Sequence, residues 1–254
     1  MSVIDRFRLD GKHAVVTGAS EGIGRAVAEG LADAGAAVTL ANRTAEPGER
    51  AADRIAEATG ADTLHVTADV SDRGDVEVLV ERAVAEFGAP DVLVNNAGIV
   101  RHAPIEDKPV EEFRETIETN LTGAFLCAKH AGVAMLDAGG GSIVNVSSMS
   151  AFVANYPQCQ VDYQASKGGL EAFKLQLAFE WADRGVRVNN VAPGYINTGM
   201  IEEDPNYETW RQETLLGEIA DPEALVPLVV YLASDASWYV TGETVVIDGG
   251  YTVR

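Results

Sequence analysis

The chain has 254 residues, of which 46% are hydrophobic, 39 are acidic and 19 are basic, so its formal net charge is −20. This length is enough for one large domain with a full core, and the negative charge argues against nucleic acid or an anionic membrane as a partner. Two cysteines and four histidines without ligand spacing predict neither a disulfide framework nor a metal site.

No segment is apolar over the length that a signal peptide or a membrane-spanning helix needs. Together with the sparse cysteines, this predicts a cytoplasmic protein. The acidic composition fits either general solubilisation or an adaptation to high salt, and both interpretations stay open.

Apolar runs typical of buried strands alternate with helical stretches along the chain. Strands are predicted at 13–16, 38–41, 64–67, 92–94, 143–146, 186–191 and 245–247. Helices are predicted near 24–34, 47–58, 73–87, 110–136, 162–183 and 221–233. The alternation predicts a single α/β domain over residues 1–254, a doubly wound Rossmann-type fold with a parallel seven-stranded sheet and helices on both faces.

The first predicted strand leads into a glycine-rich turn, Thr17-Gly-Ala-Ser-Glu-Gly-Ile-Gly24, and then into a helix. Such a turn lets a pyrophosphate approach the amide groups at the helix N-terminus. The spacing differs from G-x-G-x-x-G, but its position in a βαβ unit predicts a dinucleotide site.

Tyr163 and Lys167 lie four residues apart, on one face of a predicted helix. An ammonium within about 4 Å contributes about 4 kcal/mol at an effective dielectric near 20, enough to lower a phenol pKa by about two units. The pair is therefore predicted to work as an acid/base, with Lys167 depressing the pKa of Tyr163. Taken alone, the spacing also occurs on solvated helix faces.

Ordered motifs along nearly the whole chain resemble those of the short-chain dehydrogenase/reductase family. They are Thr17–Gly24, Asn95-Asn96-Ala97-Gly98, Asn120 in Glu118–Gly123, Ser148 in Val144–Ser148, the pair Tyr163 and Lys167, and Pro193-Gly194. The resemblance implies an NAD(P)-dependent oxidoreductase that interconverts a secondary alcohol and a ketone by hydride transfer. The implied catalytic residues are Asn120, Ser148, Tyr163 and Lys167.

In the implied arrangement Tyr163 is the proton donor, Ser148 its hydrogen-bonding partner and Asn120 the support of a water relay. Lys167 would also bind the nicotinamide ribose. Ser147 and Ser150 compete with Ser148 for the serine role, and Ser150 is expected to line the substrate pocket. The alternative for Asn120 is a buried polar residue bonded only to backbone, and for Ser148 a strand-end cap.

The resemblance also implies a set of cofactor contacts. They are Gly18, Ser20, Gly22, Ile23, Gly24, Asn42, Arg43, Asp69, Val70, Asn96, Ala97, Gly98, Tyr163, Lys167, Pro193, Gly194, Ile196 and Thr198. Asp69 and Val70 are expected to close the third strand and to lie against adenine; the alternative for Asp69 is a helix cap.

The choice of nicotinamide cofactor depends on the end of the second strand. Asn42 stands where an acidic residue would bind the ribose 2′-hydroxyl of NAD, and Arg43 offers a guanidinium suited to a 2′-phosphate. Glu21, in the glycine turn, opposes the phosphate. We expect NADP to be favoured over NAD; the alternative is a solvated Arg43, with Asn42 binding the 2′-hydroxyl.

The segment between Ser148 and Tyr163 and the C-terminal stretch 247–252 resemble the sugar and polyol branch of the family: mannitol 2-dehydrogenases, sorbose reductases and arabinitol dehydrogenases. The predicted substrate residues are His102, Ser150, Asn155, Gln158 and Tyr195. Gln160 belongs to the same group of amides, which could bond several hydroxyls or could only stabilise the loop. Residues 199–216 are predicted to form a lid of short helices over the substrate.

Alternatives to a polyol or ketose substrate are an acyl thioester, gluconate or a cyclic ketone on the same fold, and a non-catalytic nucleotide-sensing protein. The helix that carries Tyr163 has more apolar residues than one face needs. By resemblance such faces pack between the subunits of a homotetramer, whereas the alternative is a monomer whose core buries them all.

Overall fold

The computed structural model describes residues 2–199 and 201–253. Seven parallel strands form one sheet in the order β3-β2-β1-β4-β5-β6-β7. They are β1 His13–Thr17, β2 Ala37–Asn42, β3 Thr63–Thr67, β4 Val92–Asn95, β5 Gly141–Val146, β6 Val186–Pro193 and β7 Thr244–Ile247. The predicted single α/β domain with a parallel seven-stranded sheet is confirmed.

Helices cover both faces of the sheet, as its apolar central strands require. The helices are α1 Gly22–Asp33, α2 Ala45–Thr59, α3 Arg73–Phe87, α4 Val110–Ile117, α5 Gly123–Ala138, α6 Val161–Trp181, α7 Tyr207–Glu213 and α8 Val226–Ala233. One buried cluster on one side includes Leu31 and Val229, and a second on the other side includes Leu79 and Leu177. Strand order reverses between β1 and β4, and in such sheets the crevice beyond the carboxyl ends at this point is where ligands bind.

The stretch predicted near 110–136 is helical, with one turn of a different kind inside it. Between α4 and α5, Glu118–Thr122 form a π-helical turn, and the helix continues to Ala138. Asn120 lies within this turn and is 1% exposed. Wider turns of this kind re-aim a side chain without ending the helix, and they are frequent at functional sites.

The helix predicted at 221–233 also begins differently. Pro222–Leu225 form a 3₁₀ turn, and the α-helix α8 starts only at Val226. Pro227 has no amide hydrogen to donate, so a regular α-helical bond cannot form at this point.

Several apolar residues of α6 lie at the surface. Leu175 is 59% exposed and Phe179 is 81% exposed, whereas Leu170 and Leu177 are buried. The alternative of a monomer core that buries this helix entirely is therefore wrong. No helix in the described part of the chain is long and apolar enough to cross a membrane.

The segment predicted as a lid contains two short helical elements, the 3₁₀ turn Ile201–Glu203 and α7. Met200, inside the predicted 199–216, lies outside the described residues. Trp210 of α7 stacks on Tyr195, with ring centroids 4.5 Å apart and planes within 9°. The role of the segment as a lid stays a prediction.

Candidate active site

A cleft of about 740 Å³ lies at the reversal of strand order. Every predicted site residue lines it except Asn120, which lies behind the wall. Several further lining residues were not among the predicted site residues. They include Ala41, Thr44, Ala68, Ile99, Val100 and Met149. Most of these follow the carboxyl ends of strands, a position that could have identified them. Gln160, of the predicted group of amides, and Ile201, Asp204 and Trp210, of the predicted lid, also line the cleft.

The glycine turn packs tightly against the loop after β4. A Cβ on Gly24 would lie 2.1 Å from the carbonyl oxygen of Gly18 and 2.4 Å from Nδ2 of Asn96. Asn96 Nδ2 donates to the carbonyls of Thr17 and Gly18, both at 3.0 Å, and Thr17 Oγ1 accepts from the amides of Asn96 and Ala97 at 3.1 Å. These bonds join the two loops into one rigid floor of the cleft.

The residues of this floor fit the pyrophosphate of a dinucleotide. α1 begins at Gly22, and the preceding Glu21 makes no side-chain capping bond to its first amides. A helix of 12 residues with uncapped N-terminal amides attracts an anion. Thr198 lies across the cleft, with Cγ2 at 3.2 Å from where a Cβ on Gly22 would be. Glycine at 22 therefore leaves room for a phosphate between the helix and Thr198.

Lys167 is anchored to the end of β5 rather than to the tyrosine. Its ammonium donates to the carbonyl oxygen of Val146 at 2.6 Å and lies 5.5 Å from the ring centroid of Tyr163. The side chain is 4% exposed, and burial lowers its pKa to about 8. A buried lysine in this state can exchange a proton near neutral pH.

The prediction that Lys167 depresses the pKa of Tyr163 is wrong for this structure. Burial raises the pKa of the phenol, and a hydrogen bond with Ser148 opposes that rise without reversing it. The physical reason is that desolvation disfavours the phenolate, while the ammonium that should stabilise it is bonded to Val146. At neutral pH the phenol therefore keeps its proton and can donate it.

The three competing serines have different partners. Ser147 Oγ donates to Glu171 Oε1 at 2.6 Å, toward α6 and β7. Ser148 bonds the phenol of Tyr163, and its Oγ donates to Ser150 Oγ at 3.0 Å. Ser148 also accepts from the Ser150 amide, as a cap would, so it combines the cap geometry with contact to the tyrosine.

Asn120 connects the loop after β4 to α6. Its Oδ1 accepts from the amide of Ile99 at 2.8 Å, and its Nδ2 donates to the Ile99 carbonyl at 2.9 Å and to Ser166 Oγ at 3.0 Å. The alternative of bonding only to backbone is therefore wrong. A Cβ on Gly98 would lie 3.3 Å from Asn120 Oδ1 and 3.7 Å from Lys167 Nζ, so both side chains flank this glycine. The predicted role of Asn120 in a water relay stays a prediction.

A polar wall lies beside the serine and the tyrosine. The hydroxyl of Tyr195 accepts from Gln158 Nε2 at 3.1 Å and from Asn155 Nδ2 at 3.3 Å. Gln160, which is 6% exposed, donates to Asn155 Oδ1 and to Ser150 Oγ. The amides thus stabilise the loop through one another, as one interpretation expected, and they also form a connected polar surface in the cleft. His102 is exposed at the rim of the cleft.

At the adenosine end, β3 ends at Thr67, so Asp69 and Val70 follow the strand instead of closing it. The two still line the cleft. The capping alternative for Asp69 is wrong, because the N-cap of α3 is Asp72, whose side chain accepts from the amide of Asp75. Asp69 Oδ1 instead accepts from the amide of Ser71 at 2.9 Å, in the turn before the helix. Burial raises the pKa of Asp69, but the bonds from Ser71 and the field of Arg43 leave it lowered overall.

The comparisons with known proteins agree with this geometry. The sequence profile of the family described as "Enoyl-(Acyl carrier protein) reductase" matches residues 18–252. A D-threitol dehydrogenase of Mycolicibacterium smegmatis is 39% identical, with 100% of this chain and 98% of the relative covered. An NADP-dependent mannitol dehydrogenase of Hypocrea jecorina is 39% identical over 99% of this chain and 96% of its own. The crystal structure of a short-chain type dehydrogenase/reductase from Mycobacterium marinum superposes with a TM-score of 0.95, at 42% identity and full coverage of both chains.

Proposed function

The chain belongs to the short-chain dehydrogenase/reductase family and is an NAD(P)-dependent oxidoreductase of CH–OH groups, and we propose that it interconverts a polyol and a ketose with NADP. The observation that carries the proposal is the polar wall of Asn155, Gln158 and Tyr195 beside Ser148. A substrate with several hydroxyls needs such a set of donors and acceptors. The polyol-acting relatives support the same substrate class.

The reaction needs a carbonyl oxygen held between Ser148 and Tyr163. The bound nicotinamide supplies or accepts the hydride. During reduction the Tyr163 phenol gives its proton to the substrate oxygen, and Ser148 donates a hydrogen bond to the same oxygen. In the oxidation direction Tyr163 takes that proton back. Lys167 Nζ lies 5.5 Å from the centroid of the Tyr163 ring and is bonded to Val146, so its charge faces the site without a direct bond to the phenol. Asn120 holds the loop after β4, in which Gly98 lies next to Lys167.

The proposed choice of NADP depends on Arg43. Its side chain is exposed at the cleft, and its field reaches Asp69. A guanidinium can bind a 2′-phosphate in bidentate geometry. We expect kcat/KM to be higher with NADPH than with NADH, and Arg43→Ala to weaken NADPH use alone. Asn42→Asp should move the preference toward NADH, because a carboxylate repels a 2′-phosphate. Equal losses with both cofactors in Arg43→Ala would contradict the phosphate role.

We also propose that the enzyme is a cytoplasmic homotetramer whose segment 199–216 covers the bound substrate. Leu175 and Phe179 of α6, together with Phe125 of α5, are exposed apolar side chains that a partner subunit would bury. Trp210, which belongs to this segment, lines the cleft and stacks on Tyr195. Free Cys127 and Cys159 are consistent with a reducing compartment.

One absorbance screen tests the proposed function. NADPH and NADH would each be offered with ketoses, aldoses, keto acids, a cyclic ketone and an acetoacetyl thioester, at low and high salt. The proposal predicts that a ketose is reduced fastest and with NADPH. Turnover of the thioester or the cyclic ketone without turnover of any ketose would contradict the substrate class. Tyr163→Phe protein serves as the control for background oxidation.

A further inference from the structure

The side chain of Asn42, the last residue of β2, is held by one side chain of the next strand and by one main-chain carbonyl of the following turn. Its Oδ1 is 2.9 Å from Nε2 of His65 in β3, and its Nδ2 donates to the carbonyl oxygen of Thr44. The first bond ties the carboxamide to the edge of the sheet, and the second closes the turn in which Arg43 lies.

The N-terminal part of α2 packs directly onto this pair. A Cβ on Gly48 would lie 2.1 Å from His65 Nε2 and 2.2 Å from Asn42 Oδ1. A glycine inside a helix costs about 1 kcal/mol relative to alanine. The close approach explains why glycine is needed here: the helix lies on the bond between His65 and Asn42, and any side chain would displace it.

His65 is the donor in this bond. A carboxamide oxygen only accepts, so Nε2 must carry the hydrogen. Burial lowers the pKa of the ring, the field of Glu49 raises it and that of Arg82 lowers it, with a net decrease. The imidazole is therefore neutral near pH 7, with its proton on Nε2.

The guanidinium of Arg43 has hydrogen-bond donors that the described part of the protein does not use. Within residues 2–199 and 201–253 it forms no hydrogen bond or ion pair with protein, and it lines the cleft. Both polar atoms of the Asn42 carboxamide are bonded to His65 and Thr44. A group at the ribose 2′ position would thus meet the guanidinium, while Asn42 is held by the sheet.

We propose that His65 is a positioning residue for cofactor discrimination: it holds Asn42 against β3, fixes the turn Asn42–Thr44 and so directs Arg43 toward a 2′-phosphate. The inference rests on the proposed preference for NADP. It places part of the cofactor selectivity on the third strand, behind the residues that touch the ribose.

Calorimetric binding of 2′,5′-ADP and of ADP tests this without turnover. His65→Leu should raise the Kd of 2′,5′-ADP about five-fold, as the loss of one neutral hydrogen bond predicts, and change that of ADP by less than about two-fold. His65→Gln, whose amide can donate to Asn42, should restore most of the affinity. Gly48→Ala should repeat the effect of His65→Leu, so the test does not depend on one variant folding. His130→Leu in α5 and Gly74→Ala in α3 are the matched controls and should change neither Kd.

The outcomes separate the inference from the proposed function. If wild type prefers 2′,5′-ADP but folded His65→Leu and Gly48→Ala keep that preference, the role of His65 is overturned and NADP use stands. Equal weakening of both ligands also overturns it, because that is the result of general loosening. A wild type without preference for 2′,5′-ADP overturns both.

Discussion

The ammonium of Lys167 donates to the main-chain carbonyl of Val146 at 2.6 Å, while the phenol of Tyr163, one helical turn earlier, bonds Ser148. The two residues share a helix face but have separate partners. Burial holds the lysine pKa at about 8 and raises that of the tyrosine. The site therefore contains a phenol that is protonated near neutral pH and a lysine that titrates just above it.

The buried Lys167 predicts a specific pH dependence of stability. Its pKa is about 8 in the folded chain against an ordinary value of 10.5. Between these values the unfolded chain binds the extra proton, so the free energy of unfolding rises with pH. From about pH 8 to 10 this contribution should reach ~2 kcal/mol in wild type and be absent in Lys167→Met. Denaturant unfolding across this range measures the difference.

Lys129→Met, on the exposed face of α5, is the control and should follow wild type. If the free energy of unfolding changed with pH equally in wild type and in Lys167→Met, burial would not lower the pKa of Lys167 as described.

Alanine variants of the three serines after β5 should differ in kcat and in melting temperature. Ser148→Ala should lower kcat about 100-fold because it removes the hydrogen bond to the reacting oxygen. Ser150→Ala should lower kcat less than about ten-fold, since Ser150 bonds Ser148 and Gln160 rather than the phenol. Ser147→Ala should lower the melting temperature through its lost bond to Glu171, with kcat retained. A larger kcat loss in Ser150→Ala than in Ser148→Ala would reverse their roles.

Assembly depends on the exposed side chains of α6. Sedimentation at micromolar concentration should give a tetramer for wild type. The double variant Leu175→Glu, Phe179→Glu should dissociate it, because two charges would then lie in an apolar interface. Val78→Glu, at a 49% exposed position of α3, is the control and should stay tetrameric. A wild-type monomer would contradict the assembly.

The acidic composition bears on how thermal stability depends on salt. With a net charge of −20, self-repulsion destabilises the folded chain at low ionic strength. If the composition is a salt adaptation, the melting temperature should climb steeply between low and molar salt as the charges are screened. A melting temperature that does not change with salt, measured by differential scanning fluorimetry, would favour general solubilisation instead.

Local patterns in the sequence predicted the sheet, the glycine turn and the pair Tyr163 and Lys167, because these features depend on short-range periodicity and spacing. The other cleft residues were predicted through the resemblance to the family. Local patterns could not predict which way individual side chains turn. Ser147 and Ser148 are neighbours on a strand end, and only packing shows that one bonds Glu171 and the other Tyr163.

Long-range contacts account for the remaining differences. The π-helical turn contains Asn120, whose side chain bonds Ile99 in the loop after β4 and Ser166 in α6, both distant in the sequence. The raised pKa of Tyr163 results from burial by the whole domain, which a helix-face argument omits. The bond between Asn42 and His65 joins residues 23 positions apart, and its one local trace is the glycine inside α2.

The central claim is that Tyr163 is the proton donor of a polyol/ketose oxidoreductase, and Tyr163→Phe tests it most directly. The substitution removes one oxygen and keeps the ring, so NADPH affinity measured by fluorescence titration should stay within about three-fold of wild type. The rate of ketose reduction should fall by about 10²–10⁴-fold, the usual contribution of a positioned acid. Loss of turnover with cofactor binding retained is the predicted result. A variant that keeps more than about a tenth of the wild-type rate would contradict the assignment of the donor.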